Sequence, residues 1–418
     1  MKVRLLSEIP TWVFYGILFL ALFLHKNLHV STAWRYGVLL LSIIFSLDLI
    51  VRSKTLWLQT NNNVRQLVIL WILFVVMMIF TASHGYTHQL NDTWPFLNDF
   101  ILHFGIPFLL ISYISQWKHF RIIFIGLFAG IVLFPIGNNL LQYAKEFYSD
   151  GLSNQSWREH RGYSNGLEFG LPILLWMSYM ARDRFWKIAC WLLVGIGCIL
   201  LVLTGARGAW LAGFSTLLLF AFFAGGKYFY ISIIGTIIVL AIALSSVVPY
   251  SVAVSRVQQG FDTSNRTTGT WGPTLDMIKK RPWFGYGYGP EVYHAIYQRN
   301  KPQHENWFFN KSLGPHNLFL SIAFFAGIPS ALIFILILTG VSYHLLRYLV
   351  RMRHDSCCRY EPFYLSALTL ISIIVGHVVI RGMVEDRSWP SIIFVMSLAL
   401  VWINIKSSHT KSDQITTQ

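Results

Sequence analysis

The chain has 418 residues, of which 55% are hydrophobic and only 12% are charged, whereas a soluble domain carries about 25% charged residues. This composition excludes an ordinary soluble enzyme, a disordered chain and a secreted scaffold held by disulfides, because apolar residues are abundant and there are only 4 cysteines. The formal net charge of +15 would suggest nucleic-acid binding in a soluble protein, so the placement of the basic residues relative to a membrane has to be decided first.

Apolar stretches long enough to cross a membrane recur along the whole chain. A helix needs about 20 residues to cross about 30 Å of hydrocarbon. The first stretch runs directly into Lys26 and has no small-residue cleavage site, so we predict an anchor rather than a removable signal peptide. The sequence predicts an all-α polytopic membrane protein with about twelve spans, near residues 11–28, 34–51, 66–83, 97–115, 120–141, 165–181, 186–204, 208–225, 228–248, 317–343, 362–381 and 388–405.

The distribution of Lys and Arg predicts the orientation of these spans, because short cytoplasmic loops carry an excess of both residues. With the N-terminus inside, 17 of the 33 basic residues fall on the cytoplasmic side and 16 on the external side. Half of the external ones lie in a single long loop, so the short external loops hold only 8. Both termini are therefore predicted to be cytoplasmic.

The long external loop runs from about Pro249 to Pro315. Loops of this length are usually either functional or disordered, and here apolar residues recur at helical spacing, which predicts two short helices around a glycine-rich turn. The residues at that spacing are Trp271, Leu275, Met277 and Ile278, then Val292, Tyr293, Ile296 and Tyr297. The predicted organisation is nine spans in 1–248, the partly helical loop 249–315, three spans in 316–405 and a cytoplasmic tail in 406–418.

The external side offers arginines but no visible metal site. The first external loop, His25–Ala33, contains no acidic pair that would hold a divalent ion. An enzyme whose leaving group is a lipid-linked phosphate must neutralise it with a metal ion or with arginines. Arg207 lies at the outer start of the eighth span, where the helix dipole also favours an anion. Its planar guanidinium suits bidentate phosphate contact better than a lysine does.

The sequence also leaves structural interpretations of these arginines open. Arg207, and Arg161 just before the sixth span, are both compatible with side chains that snorkel to the membrane edge. Arg266 and Arg281, both in the long loop, are compatible with solvated charges.

His316 stands where the long loop ends and the tenth span begins. A neutral imidazole near pH 7 can accept the proton of a sugar hydroxyl as that hydroxyl attacks. The alternative is an interfacial histidine that is hydrogen-bonded at a helix start. The glycine-rich stretch 285–289 also has two interpretations, an anion-binding nest and a tight turn, of which the alternation with aromatic residues favours the turn.

Taken in order, four motifs resemble the O-antigen ligase and polymerase superfamily. The motifs cover roughly residues 204–330, and the span count and the single long external loop extend the likeness over most of the chain. They are Thr204-Gly-Ala-Arg-Gly-Ala-Trp210, Arg266-x4-Trp271, Arg281-Pro-Trp-Phe-Gly-Tyr-Gly-Tyr-Gly289, and His316-Asn-Leu-Phe-Leu320 followed by Ala323-Phe-Phe-Ala-Gly-Ile328.

The resemblance implies a membrane glycosyltransferase of the GT-C type that works without a metal ion or another cofactor. In the ligase branch it moves a polysaccharide from undecaprenyl pyrophosphate to a sugar of the lipid A core, at the periplasmic face of the bacterial inner membrane. By motif, Arg207 and Arg266 hold the pyrophosphate, and His316 is the base that activates the acceptor hydroxyl, so the configuration inverts. Arg281 replaces the histidine found before the proline in much of the family. With Arg161 it is a candidate for a further phosphate contact.

Polymerases and protein O-oligosaccharyltransferases share these motifs. Polymerases of the group usually have two large external loops, whereas the second-largest loop here, about 143–164, has only 22 residues. Protein-glycosylating members often have longer chains and further sequence blocks, which are not apparent. The sequence therefore favours the lipopolysaccharide ligase. Glu385 and Asp386, before the last span, are candidates for orienting the acceptor or His316.

Two other classes of protein remain as alternatives. A twelve-span secondary transporter would use intramembrane ionisable residues, for which Glu168 and His377 are the candidates. It would also be expected to have a longer central cytoplasmic loop, and here the polar sequence lies outside instead. A non-catalytic scaffold would not need His316. The basic residues on the external side therefore indicate that the protein binds a phosphorylated lipid donor and a phosphorylated lipid acceptor in the membrane, and not nucleic acid.

Overall fold

The computed structural model describes residues 60–83, 117–150, 161–224, 265–288, 290–353, 361–385 and 389–416. All regular secondary structure within these ranges is helical. Six of the described helices are long and apolar enough to cross a membrane, as expected for a multi-pass membrane protein. The spans predicted near 11–28, 34–51, 97–115 and 228–248 lie outside the described residues.

The helices are numbered here in chain order. Three π-helical segments adjoin them: 132–136 joins α2 to α3, 265–270 precedes α7, and 374–380 continues α10. The helices are α1 (Asn62–Ser83), α2 (Trp117–Ile131), α3 (Gly137–Asp150), α4 (Arg161–Met180), α5 (Arg184–Leu203), α6 (Arg207–Ala224), α7 (Trp271–Lys280), α8 (Pro290–Asn300), α9 (Leu318–Met352), α10 (Pro362–Ile373) and α11 (Trp389–Thr416).

Six candidate membrane spans lie on these helices, whereas α4 and α11 do not qualify as spans. They cover 62–82, 120–145, 184–203, 207–224, 318–352 and 362–384. The predicted sixth span is present as α4, but it is not among the candidate spans because polar residues interrupt its first half. The apolar part of α11, Ser391–Lys406, falls short of the length that a span requires.

The buried core lies where α4, α6, α9, α10 and α11 meet. Two of its large polar aromatic side chains reach hydrogen-bond partners on neighbouring helices, as buried polar groups usually do. The Trp176 indole donates to Ser366 Oγ at 3.0 Å. The Tyr364 hydroxyl donates to the Phe223 carbonyl at 3.0 Å. The faces turned away from the core expose large apolar side chains such as Leu192, as helix surfaces in contact with lipid do.

Helix α9 contains a sharp break at Gly327. This residue has φ 84° and ψ 164°, so the helix stops there and a second helical segment continues to Met352. Only glycine adopts this conformation without strain. A Cβ on Gly327 would also lie 2.1 Å from the carbonyl oxygen of Trp283. The tenth span, which the sequence predicts as one helix, therefore consists of two segments.

The turn 281–288 of the long loop fills this break. In a continuous helix Ile328 would donate its N–H to the Phe324 carbonyl. Here Ile328 donates to the Pro282 carbonyl at 2.7 Å, and the Phe324 carbonyl accepts from the N–H of Tyr286 at 2.9 Å. The loop and the broken helix thus satisfy each other's backbone groups.

Pro329 explains why the break occurs at this position. Proline has no N–H, so the Phe325 carbonyl would lack its helical donor. It accepts from the N–H of Gly287 at 2.9 Å instead. The rings of Tyr288 and Phe325 stack beside this bond, with their centroids 4.9 Å apart. The two predicted loop helices, α7 and α8, flank the turn and confirm that the loop is folded at its described residues, 265–288 and 290–315.

Candidate functional site

Arg207 is the first residue of α6, directly after a tight turn. Gly205 has φ 65°, the left-handed conformation that commonly ends a helix. The Thr204 hydroxyl donates to the Leu201 carbonyl at 2.6 Å, and the Trp210 indole donates to the same carbonyl at 3.1 Å. Thr204, Gly205 and Trp210 of the first motif therefore fix the turn. The half-buried Arg207 is its charged member, at the positive end of the α6 dipole.

His316 occupies a strained position just before α9. Its φ is 47°, in the left-handed region that few residues other than glycine adopt. Asn317 follows as the N-cap of α9, and its side chain accepts from the N–H groups of Phe319 and Leu320, each at 3.0 Å. This cap explains the asparagine after His316 in the fourth motif. The half-buried His316 is held at the helix entry by these neighbours.

The structure brings Arg266 and His316 together across 50 residues of sequence. The Arg266 guanidinium donates through Nη1 to the His316 carbonyl at 3.5 Å. Arg266 lies in the π-helical segment 265–270 that leads into α7, and its side chain is half-buried. A cation therefore lies beside the residue that the sequence predicts as the base.

A short turn after α10, Arg381–Glu385, supports the start of α9. We call this segment the Arg381 turn. The N–H of Leu318 donates to the Gly382 carbonyl at 2.7 Å. The Asn317 side chain donates to the Met383 carbonyl at 3.0 Å. The two residues that follow His316 are thus bound to consecutive carbonyls of the Arg381 turn.

The same turn also packs against the start of α6. A Cβ on Gly208 would lie 2.5 Å from Val384 Cγ2 and 3.2 Å from Arg381 Cδ. Glycine at this position therefore allows the helix that begins with Arg207 to rest on the Arg381 turn. The helix starts that carry Arg207 and His316 share this one support.

The Arg381 side chain is buried in a network of partners. It is 2% exposed, although the charge count assigns it to a short external loop. Its guanidinium lies 3.3 Å from Glu168 Oε2, donates to Ser164 Oγ at 2.9 Å, and binds Glu385 Oε2 at 2.7 Å through Nη2. Arg381 is thus an interior residue that joins α4 to its own turn.

His377 completes the network on the α10 side. Its Nδ1 lies 2.9 Å from Glu168 Oε1, and its Nε2 lies 2.8 Å from Ser391 Oγ. Glu168 and His377 are the two residues that the transporter hypothesis depends on. Their pairing with each other and with Arg381 favours a structural role, because buried charges require such partners.

The other predicted site residues are placed as follows. Arg281 is exposed at the end of α7, with its guanidinium 5.4 Å from the ring centroid of Tyr286. Burial raises the pKa of Tyr286, and the Arg281 charge partly offsets this by lowering it. Arg161 begins α4, but its side chain lies outside the described residues, as does Asp386. Glu385 is the half-buried end of the Arg381 network.

The glycine-rich turn acts as a structural element at its described positions. The N–H groups of Tyr286 and Gly287 are bound to α9 carbonyls, so they are not available for an anion. Among the described residues, no group of three or more His, Cys, Asp or Glu side chains could hold a metal ion.

Sequence reasoning missed Arg381 as a member of the site's support. The signal was present, because His377, Arg381 and Glu385 are spaced four residues apart. On a helix this spacing places the three side chains on one face.

Two comparisons with known proteins bear on the site. A family model described as O-antigen ligase matches residues 188–335. This range contains Arg207, Arg266, Arg281 and His316, and it ends before Arg381. An O-antigen ligase of Salmonella typhimurium strain LT2 is 28% identical over 249 residues, which are 58% of this chain and 59% of that protein. The chain thus spans less than two thirds of the relative's length. Both matches confirm the resemblance that the motifs indicate.

Proposed function

Because residues 188–335 match the O-antigen ligase family, we propose that this chain is a ligase of lipopolysaccharide biosynthesis. It transfers a polysaccharide from undecaprenyl pyrophosphate to a sugar of the lipid A core. The proposed location is the bacterial inner membrane, with both termini cytoplasmic and the site facing the periplasm. The proposed architecture is a GT-C-type glycosyltransferase of about twelve spans, with nine in 1–248 and three in 316–405 on either side of the loop 249–315.

The donor is bound in this proposal by Arg207 and Arg266. The leaving pyrophosphate gains negative charge as its bond to the sugar breaks, and guanidinium groups stabilise that charge without a metal ion. Arg207 supports this role through its position at the start of α6, where the helix dipole adds positive potential. Arg161 and Arg281 are proposed as further phosphate contacts.

The acceptor is activated in this proposal by His316. Its imidazole takes the proton of the acceptor hydroxyl as the oxygen forms a bond to the anomeric carbon of the donor sugar. The bond from that carbon to the pyrophosphate oxygen breaks at the same time. Attack on the face opposite the leaving group inverts the configuration.

One observation carries the proposal: the Arg266 guanidinium binds the His316 carbonyl. The contact supports the proposal because it brings the side chain proposed to bind phosphate to the backbone of the residue proposed to accept the proton. Arg266 and His316 belong to different motifs of the matched family, and a transfer site needs both kinds of residue within reach of one anomeric carbon.

A deletion strain tests the proposed function. We expect loss of core-linked polysaccharide and accumulation of the lipid-linked polymer, both reversed by the wild-type gene. Core carrying only a single repeat unit would indicate a polymerase instead. Normal capped lipopolysaccharide in the deletion strain would refute the ligase.

Substitution of His316 tests the catalytic role. His316→Ala and His316→Asn should each lower the rate of transfer by about 10²–10⁴-fold, as loss of a general base does. Asparagine tolerates the left-handed backbone at this position, so His316→Asn separates loss of the base from backbone strain. The assay with purified enzyme and lipid-linked donor is run in EDTA. Full activity in His316→Asn, or strict dependence on added magnesium, would contradict the mechanism.

A further inference from the structure

The Arg381 turn lies beside the proposed site but contributes no group to the proposed chemistry. The Arg381 side chain has three anchors: Ser164 and Glu168 on α4, and Glu385 at the end of its own turn. Removal of one partner from such a buried ion pair leaves the other charge uncompensated, which strongly opposes rearrangement. The turn is therefore anchored to α4 through the Arg381 side chain.

The backbone of this turn determines where His316 lies. Gly382 and Met383 directly follow the anchored arginine, and their carbonyls hold Leu318 and Asn317. His316 precedes these two residues, and its backbone is in the left-handed region, which is strained unless the surrounding structure maintains it. A shift of the Arg381 turn would therefore move the imidazole.

The turn also packs against the start of α6, next to Arg207. Gly208 approaches Val384 and Arg381 closely enough that a single added methyl group would overlap the Val384 side chain. The start of α6 and the start of α9 thus both contact the Arg381 turn, although they lie far apart in sequence.

We propose that Arg381 is a positioning residue, which fixes the candidate base His316 relative to the phosphate-binding Arg207. This inference rests on the proposed transferase function. A misplacement of about 1 Å between reacting groups can reduce a rate by about 10²-fold. The network of Arg381 therefore contributes to the rate of transfer and not only to stability.

Gly208→Ala is the test of this role. The new Cβ would lie 2.5 Å from Val384 Cγ2, closer than the two groups can remain, so the Arg381 turn and the start of α6 must shift relative to each other. We expect kcat to fall by about 10²-fold while the KM for the lipid-linked donor is unchanged. The matched control is Gly195→Ala, because a Cβ on Gly195 meets nothing within 4 Å, and this variant should keep the wild-type kcat.

A second substitution distinguishes displacement of the turn from crowding at Arg207. In the double variant Gly208→Ala with Val384→Ala, the atom that the new Cβ meets is removed. We expect kcat to return to within a few-fold of the wild-type value. If the alanine at 208 acted by blocking phosphate at Arg207, the smaller residue at 384 would not restore the rate.

Arg381→Lys addresses the guanidinium directly. A lysine ammonium cannot span Glu168, Ser164 and Glu385 together as the planar guanidinium does. We expect a lower kcat per folded molecule at unchanged donor KM.

The outcomes separate the two proposals. Wild-type kcat in Gly208→Ala, failure of Val384→Ala to restore it, or wild-type kcat in Arg381→Lys would each overturn the positioning role. Absence of transfer by the wild-type enzyme would instead refute the proposed function itself.

Discussion

His316 has a positive φ, which is unusual for a residue other than glycine. Left-handed backbone costs roughly 1–2 kcal/mol for a residue with a Cβ, and here it is maintained by the capped start of α9. Asn317 binds the first turn of α9 on one side and the Met383 carbonyl on the other. Strain of this kind commonly accompanies functional residues, because the surrounding structure holds it in place.

Arg207→Lys tests the phosphate-binding role at the scale of a single residue. Lysine retains the charge but loses the two-pronged contact. Loss of one charge-assisted hydrogen bond, about 1.5–3 kcal/mol, should slow transfer roughly 10–100-fold. The measurement is the transfer rate with purified enzyme and lipid-linked donor.

The matched control is Arg299→Lys, at the end of α8, which should behave as wild type. If Arg207→Lys retained the wild-type rate, Arg207 would be an anchoring residue at the membrane edge.

Helix α9 and the turn 281–288 form one structural unit. The break at Gly327 exposes backbone groups that lipid could not satisfy. The turn supplies partners for them, and the rings of Tyr286 and Phe324 stack with centroids 4.8 Å apart. The loop that carries Arg266 and α7 is thereby attached to the span that follows His316.

Gly327→Ala should detach this turn. Alanine at φ 84° is strained, and its Cβ would lie 2.1 Å from the Trp283 carbonyl oxygen. The backbone term alone lowers the free energy of unfolding by about 1–2 kcal/mol. The measurements are the thermal unfolding midpoint and the rate of chymotrypsin cleavage at Trp283 and Phe284.

Gly195→Ala again serves as the control, since its Cβ enters open space. Equal cleavage rates in Gly327→Ala and the wild type would show that the turn does not depend on the break.

The sequence predicts the elements better than their connections. Helical spacing of Trp271, Met277 and Ile278 is sufficient to predict α7, because burial of one helix face follows from local pattern. The break at Gly327 depends on backbone bonds to a turn about 40 residues earlier, and periodicity carries no information about such bonds.

The residues of the site also divide into those that the sequence predicts and one that only the packing shows. Arg207, Arg266 and His316 belong to recognisable motifs, and the structure brings two of them, Arg266 and His316, into contact. The sequence predicts Arg381 as a residue of a short external loop, because it does not show that Arg381 pairs with Glu168 in a different helix. Only the packing of α4 against α10 shows that the two meet.

The charge of the whole molecule predicts its orientation. With 17 of the 33 basic residues on the predicted inner side and half of the others in one long loop, short-loop charges favour cytoplasmic termini. Alkaline phosphatase fused after residue 300 should be active, and the same enzyme fused after Gln418 should be inactive. A fluorescent protein fused after Gln418 should be bright. An active phosphatase at Gln418 would contradict the predicted orientation.

The ion pairs of Glu168 also impose an order on biogenesis. Glu168 is synthesised 209 residues before His377, which at about 5–20 residues per second is an interval of roughly 10–40 s. Until α10 arrives, this carboxylate lacks both the histidine and the arginine that surround it in the finished protein. A chain halted before α10 therefore keeps an uncompensated acidic group at its centre. Synthesis of α10 and the Arg381 turn therefore supplies the two partners of this carboxylate after the helix that carries it is already made.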